Sequence, residues 1–320
     1  MNDILHSVNP IIWLIAGAAL FIIGTVSLLW QIALARKEAR RAARTPRKTG
    51  SGVHAYCSSI IGNRANQQDF YMIPGSGISS AILRSKGCLA IVCDGMGGMQ
   101  GGERASRCCA EYLFSRYYSM QYGSARDFYT EEIPLADRSV AALKNESGSP
   151  LGGGTTLVSV LVLNSRIYFA SVGDSRIYLF RSGKLTQLTR DHNYFLVLSQ
   201  RVKDGEITPE EAKADRQKEA LISYVGMGTG PDIIDIEAEG IPAKTNDILL
   251  LCSDGLTKAM SDDEIAQIIA ENEDLPAAIP QALTSAAFSK HWIKHDNITV
   301  AIVSCSSVSY THLRAHETRR

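Results

Sequence analysis

The chain has 320 residues, 45% of them hydrophobic, enough for one large domain or two small ones around a packed core. Its 33 basic and 33 acidic side chains cancel unevenly: residues 1–48 hold seven basic against two acidic and residues 308–320 three against one, so residues 49–307 carry a net −7. A domain of that sign is a poor binder of phosphate backbones, so nucleic acid is not expected as a partner, and seven cysteines without a Cys-x-x-Cys spacing fit a reducing compartment rather than a disulfide scaffold.

In chain order, residues 1–10 form a short N-terminus, and Ile11 to Trp30 are twenty consecutive residues without a charge. Twenty helical residues span roughly 30 Å, about the bilayer core, so 11–30 is expected to be a transmembrane helix. A cleaved signal peptide would want a basic start and a shorter apolar stretch, whereas Asp3 is the only charge before the span. Arg36, Lys37, Arg40, Arg41, Arg44, Arg47 and Lys48 follow, opposed by Glu38. Flanking basic residues stay in the cytoplasm, so the N-terminus is expected outside and the domain inside, with 31–52 a basic linker against the anionic headgroups of the inner membrane.

Strand-like runs are expected at 53–61, 88–93, 157–163, 166–172, 176–181, 247–252 and 298–304, with hairpin turns at Asn164-Ser165 and Arg181-Ser182-Gly183-Lys184. Helices are expected over 103–121 and 262–272, the second opened by the capping-box pattern Ser261-Asp262-Asp263-Glu264. Residues 123–150 are polar and show no periodicity; 193–222 contain a turn and a helix start from Asp204 to Glu211. Strands interrupted by grouped helices indicate an α+β domain over 53–305. Residues 306–320 are a tail outside the domain, disordered or foreign to the natural gene product.

Four aspartates stand where apolar strands end or begin: Asp94 after Cys88–Cys93, Asp174 in Val172-Gly173-Asp174-Ser175-Arg176, Asp254 after Ile248–Cys252, and Asp296 before Ile298–Val303. Strand ends are fixed backbone that can aim a side chain. Converging carboxylates repel unless a cation lies between them, and oxygen-only ligands suit Mg²⁺ or Mn²⁺ rather than zinc.

Seven segments occur in one order: Gly62-Asn63-Arg64-Ala65-Asn66-Gln67-Gln68-Asp69; Asp94-Gly95-Met96-Gly97-Gly98 with Gly101-Gly102-Glu103; Gly153-Gly154-Thr155-Thr156; Val172 to Tyr178; Leu188 to His192; Cys252-Ser253-Asp254-Gly255-Leu256; and Asp296-Asn297-Ile298-Thr299. Together they resemble the metal-dependent protein serine/threonine phosphatases of the 2C type in their bacterial form, from about Val53 to Ser304. That resemblance implies two antiparallel β-sheets packed face to face with helices on both outer sides. It also implies hydrolysis of phosphoserine and phosphothreonine in proteins, the substrates of serine/threonine kinases, by water activated at a centre of two Mg²⁺ or Mn²⁺ ions.

The resemblance further implies roles: Asp94 bridges both ions, the Gly95 carbonyl adds an oxygen, and Asp254 and Asp296 complete the set. Asp69 acts through water, and Arg64 binds the phosphate with its planar fork. Asp174 offers a third, weaker metal position or, alternatively, is a turn residue paired with Arg176. Two residues depart from the pattern. Gln68 stands where the family often has Glu, the one feature favouring a phosphoprotein-binding module without turnover. Met96 stands where eukaryotic members have a histidine, and His192 is expected to order a loop rather than replace it. The glycines before Thr155 lack the ending of a P-loop and are expected to allow close backbone packing.

Overall fold

The computed structural model describes residues 52–75, 78–97, 101–290 and 294–306. The expected membrane helix at 11–30, all but the end of the linker at 31–52, and the tail beyond Ser306 lie outside the described residues. Among the described residues no helix is long and apolar enough to cross a membrane.

Two antiparallel sheets make the domain. The first has the order β1 (Val53–Ile60), β11 (Ile298–Cys305), β10 (Ile248–Cys252), β7 (Arg176–Arg181), β8 (Lys184–Gln187). The second runs β2 (Asp69–Met72), β3 (Cys88–Met96), β5 (Leu157–Leu163), β6 (Arg166–Val172), β9 (Asp235–Pro242), with the two-residue β4 (Gly154–Thr155) on the end of β3. The α+β expectation holds, and all seven expected strands are present. The strands that sequence reading missed, β2, β4, β8 and β9, are short, edge-lying or only half-buried, so their alternation is weak.

Period-two alternation sorts the strand residues into separate cores. Cys88, Ala90 and Val92 of β3 pack with Val158, Val160, Ile177, Leu249, Leu251, Ala301 and Val303 between the sheets. Leu89, Ile91 and Cys93 face the other way, under the helices Gly101–Ser119 and Ala125–Ala141. On the opposite outer side Ile248, Leu250, Ile298, Val300 and Ile302 meet the helices Asp262–Glu271 and Ile279–Ser289. β3, β10 and β11 are therefore apolar on both faces, which is why they read as continuous hydrophobic runs.

Turns and caps form as their residues dictate. Asn164 and Ser165 both take positive φ between β5 and β6, as do Ser182 and Gly183 between β7 and β8. The Ser261–Glu264 capping box is present, and a second, Thr208–Glu211, opens the helix Pro209–Ala214.

One helix had no visible signal in the sequence. Residues 125–141, within the stretch that lacks visible periodicity, form a helix capped by Ser124. Phe128, Tyr129, Ile133, Ala136 and Val140 do lie on its buried side, but so do Glu132 and Asp137, and Pro134 interrupts the pattern. Buried polar side chains with dedicated partners hide an amphipathic stripe. Glu132 is paired with Arg116 at 2.9 Å and accepts from the hydroxyls of Tyr112 and Tyr122.

Candidate functional site

At one end of the layer between the sheets seven strands change from apolar to polar in step. Cys57 is followed on its face by Ser59, Val92 by Asp94 and Leu251 by Ser253, while Tyr71 is preceded by Asp69, Val158 by Thr156, Ile177 by Ser175 and Ala301 by Thr299. The site is this polar end of an otherwise apolar layer.

The register of β2 against β3 sets Asp69 directly opposite Asp94. Opposed residues of an antiparallel pair project to the same face, and like charges there are destabilising. Asp69 is only 5% exposed; its Oδ2 accepts from the Ser253 hydroxyl at 2.7 Å, while its Oδ1 is buried and accepts nothing. Asp254 enters from the end of β10 as the first residue of the helix Asp254–Ala259, and its Oδ1 is likewise buried without a partner. Asp296 enters from the loop before β11.

Asp94 is clamped through its backbone. Its N–H donates to Thr156 Oγ1 at 2.9 Å, and its carbonyl accepts from Thr155 Oγ1 and from Thr156 N, each at 2.9 Å. The Thr156 hydroxyl also bonds Ser175 Oγ at 2.7 Å, tying the Asp94 end of β3 to the turn bearing Asp174. The Gly-Gly-Thr-Thr motif thus does more than pack closely: Gly153 abuts Gly101, while the two threonines hold the central aspartate. Gly102 has a comparable part, since a Cβ there would stand 2.7 Å from the Gly95 carbonyl oxygen and 2.6 Å from Gln68 Nε2. Glycine at 102 leaves room beside that carbonyl.

Burial, reinforced by the charges of Asp69, Asp254, Asp174 and Asp296, pushes Asp94 well above the usual carboxylate range. Burial likewise raises Asp69 to about 7, with Asp254 and Asp296 adding to it against the Ser253 and Thr299 hydroxyls. Asp174 is also raised to about 7, by burial and then by Asp254. Such a set is at odds with itself at neutral pH unless positive charge joins it. Two buried carboxylate oxygens without donors, beside a backbone carbonyl that Gly102 leaves room for, make an oxygen-only donor set of the kind Mg²⁺ and Mn²⁺ take. Among the described residues no three His, Cys, Asp or Glu side chains close a cage by themselves. Beside the carboxylates lies a cleft of about 490 Å³ lined by Asp174, Asp254, Asp296, Lys258, Asn193 and Glu219 among others.

Comparison with known proteins decides what this geometry belongs to. Residues 58–197 match the sequence model of the family described as Protein phosphatase 2C. The protein phosphatase PhpP of Streptococcus pneumoniae is 31% identical over 244 residues, spanning 75% of this chain and 92% of PhpP. The chain belongs to the protein phosphatase 2C family. It is a protein serine/threonine phosphatase. Among solved structures, the serine/threonine phosphatase of S. agalactiae superposes with a TM-score of 0.65 at 29% identity, covering 79% of this chain and 100% of that one. The catalytic domain of the phosphatase PstP in complex with two manganese ions superposes with a TM-score of 0.60 at 28% identity, covering 80% and 99%.

In this phosphatase Arg64 stands at the rim, 58% exposed, and its Nη2 donates to Asp296 Oδ2 at 2.7 Å. Asn297 fixes the loop that carries it: the side chain accepts from Gln68 N and donates to the carbonyls of Ile61 and Asn66. Gln68 donates through Nε2 to Gly97 O at 3.2 Å, and Met96 pairs with Gly154 in the short ladder of β3 with β4. His192 is buried; its Nδ1 accepts the Gly173 N–H at 3.1 Å, so Nε2 carries the proton and donates to Asp235 Oδ2 at 3.1 Å. It ties the Gly173-Asp174 turn to β9, the loop-ordering part expected of it.

The alternative reading of Asp174 as the partner of Arg176 is overturned. Arg176 pairs with Asp191, with Nη2 to Oδ2 at 2.7 Å and Nε to Oδ1 at 2.9 Å. Side chains two apart on a strand share a face, but Gly173 at φ 96° turns the backbone ahead of Asp174 away from strand geometry.

Three residues escaped sequence reading. Asn297 is a positioning residue whose signal was its place beside Asp296. Lys258 forms an ion pair with Asp254, signalled by a spacing of four on one helix. Asp137, fully buried, accepts the N–H groups of Gly226, Met227, Gly228 and Gly230 at 2.6–2.9 Å. No local pattern links it to a loop some ninety positions on.

Proposed function

We propose that the phosphatase hydrolyses phosphoserine and phosphothreonine in protein substrates of serine/threonine kinases, at a centre of two Mg²⁺ or Mn²⁺ ions held by Asp94, the Gly95 carbonyl, Asp254 and Asp296. The observation that carries this reading is the face-to-face placement of the buried Asp69 and the half-buried Asp94 beside Asp254 and Asp296. The manganese complex of PstP, a structural relative, supports it. When bound, two such ions supply an activated water and neutralise the phosphoryl oxygens. The chain does the rest. Thr155 and Thr156 hold Asp94 in place, Ser253 fixes Asp69 by donating to its Oδ2, and the Arg64 guanidinium, anchored on Asp296 and open to solvent, offers its fork to two phosphate oxygens.

Arg64→Ala is expected to raise KM for a phosphopeptide more than it lowers kcat, by about ten-fold for one lost charge-assisted contact, with Arg64→Lys a partial rescue. Steady-state kinetics check this, and a wild-type KM in the alanine variant would remove Arg64 from the site.

Gln68→Glu tests the metal reading most directly. It adds a carboxylate of the same length beside Gly97 and Gly102. Activity at limiting Mn²⁺ should rise several-fold while activity at saturating Mn²⁺ changes little. A wild type that stays silent on a phosphopeptide at every Mn²⁺ concentration would overturn the proposal.

We propose further that residues 11–30 anchor the phosphatase in the inner membrane as a single span, with the N-terminus outside and the catalytic domain in the cytoplasm. The support is the uncharged run and the seven basic residues after it. Protease added to intact spheroplasts should spare the domain; its digestion without lysis would reverse the topology.

A further inference from the structure

Asp174 and Asp254 both line the cleft beside the main site, and a divalent ion between them would be a third metal position. Lys258 lines the same wall. It lies one helical turn beyond Asp254, and its ammonium is paired with Asp254 Oδ2. Asp254 Oδ1 stays buried and unpartnered, so one oxygen of that carboxylate remains for the two-ion centre while the other is engaged by lysine. Among the described residues Asp174 forms no ion pair within 4.0 Å. Arg176, two residues on, is committed to Asp191 through both oxygens, and Lys258 is the positive group whose field reaches Asp174.

We propose that the Lys258 ammonium takes the place of a third divalent ion between Asp174 and Asp254, limiting this phosphatase to two bound ions. The inference rests on the two-ion reading above. A monovalent side chain paired with one carboxylate and lining the same cleft as the other neutralises part of their repulsion without leaving the protein, and a divalent ion entering there would meet its charge. Lysine suits the part because its stem is flexible and its head a compact point charge. Half of the Lys258 side chain is open to solvent, so its effect is screened and belongs to this outer position rather than to the buried centre.

The test is calorimetric titration of the full chain in detergent with Mn²⁺ alone, with bound metal counted by elemental analysis after equilibrium dialysis. Lys258→Met removes the charge and keeps the length, Lys258→Arg keeps the charge, and Lys258→Met combined with Asp174→Asn removes the second carboxylate. Wild type and Lys258→Arg should hold about two ions per chain, whereas Lys258→Met should hold about one more, bound on the order of ten-fold tighter than any outer-site binding by wild type. The extra ion should vanish in the double variant. An outer ion bound equally well by wild type and Lys258→Met, or one that survives Asp174→Asn, would overturn the inference while leaving the two-ion centre intact. A wild type that binds no Mn²⁺ would instead defeat the two-ion reading and this inference with it.

Discussion

Asp94→Asn and Asp254→Asn should each lower turnover of a phosphopeptide by about a thousand-fold or more, because a metal site that loses one charged oxygen forfeits several kcal/mol of transition-state stabilisation. The fold should survive. Asparagine has the same shape, and in Asp94→Asn it relieves the repulsion with Asp69, Asp174, Asp254 and Asp296. The thermal midpoint of the metal-free Asp94→Asn protein should therefore match or exceed that of wild type, while the stabilisation on adding Mn²⁺ should shrink in both variants. Kinetics and paired melting curves with and without Mn²⁺ separate lost chemistry from lost structure. Unchanged turnover in purified Asp254→Asn at saturating Mn²⁺ would falsify the metal assignment.

Asp137→Ala should cost about 3–5 kcal/mol of folding stability, among the largest losses a single substitution can cause outside the main core. Four backbone N–H groups converge on this carboxylate, two on each oxygen, so alanine strands four donors at once. The left-handed glycines at 226, 228 and 230 curl the loop into an anion-holding concavity that closes on a fixed negative group. Asp137→Asn keeps one accepting oxygen and should lose roughly half as much. The effect should reach the site, because Val225, next to that loop, pairs with Thr155, which holds the Asp94 carbonyl. Urea unfolding measures the first effect and kcat the second; an alanine variant within about 1 kcal/mol of wild type would show that the loop has another anchor.

The amino-acid sequence by itself determined the class of fold and picked out four aspartates, Asp94, Asp174, Asp254 and Asp296, that the structure brings near one another. Runs such as Cys88–Cys93 and Ile248–Cys252 read as strands buried on both faces, as they are, and an aspartate ending each run marks a sheet rim. Asn164-Ser165 and the Ser261–Glu264 box act through bonds a few residues long, so their signals are local and complete. What the tertiary structure alone decided are pairings between distant residues: Asp69 opposite Asp94, Arg176 with Asp191 rather than Asp174, and Asp137 beneath the glycine loop. The same long-range satisfaction hid the helix Ala125–Ala141. Its buried Glu132 and Asp137 break the apolar period, yet each finds partners on other elements, and burial of a polar group is permitted wherever such partners wait.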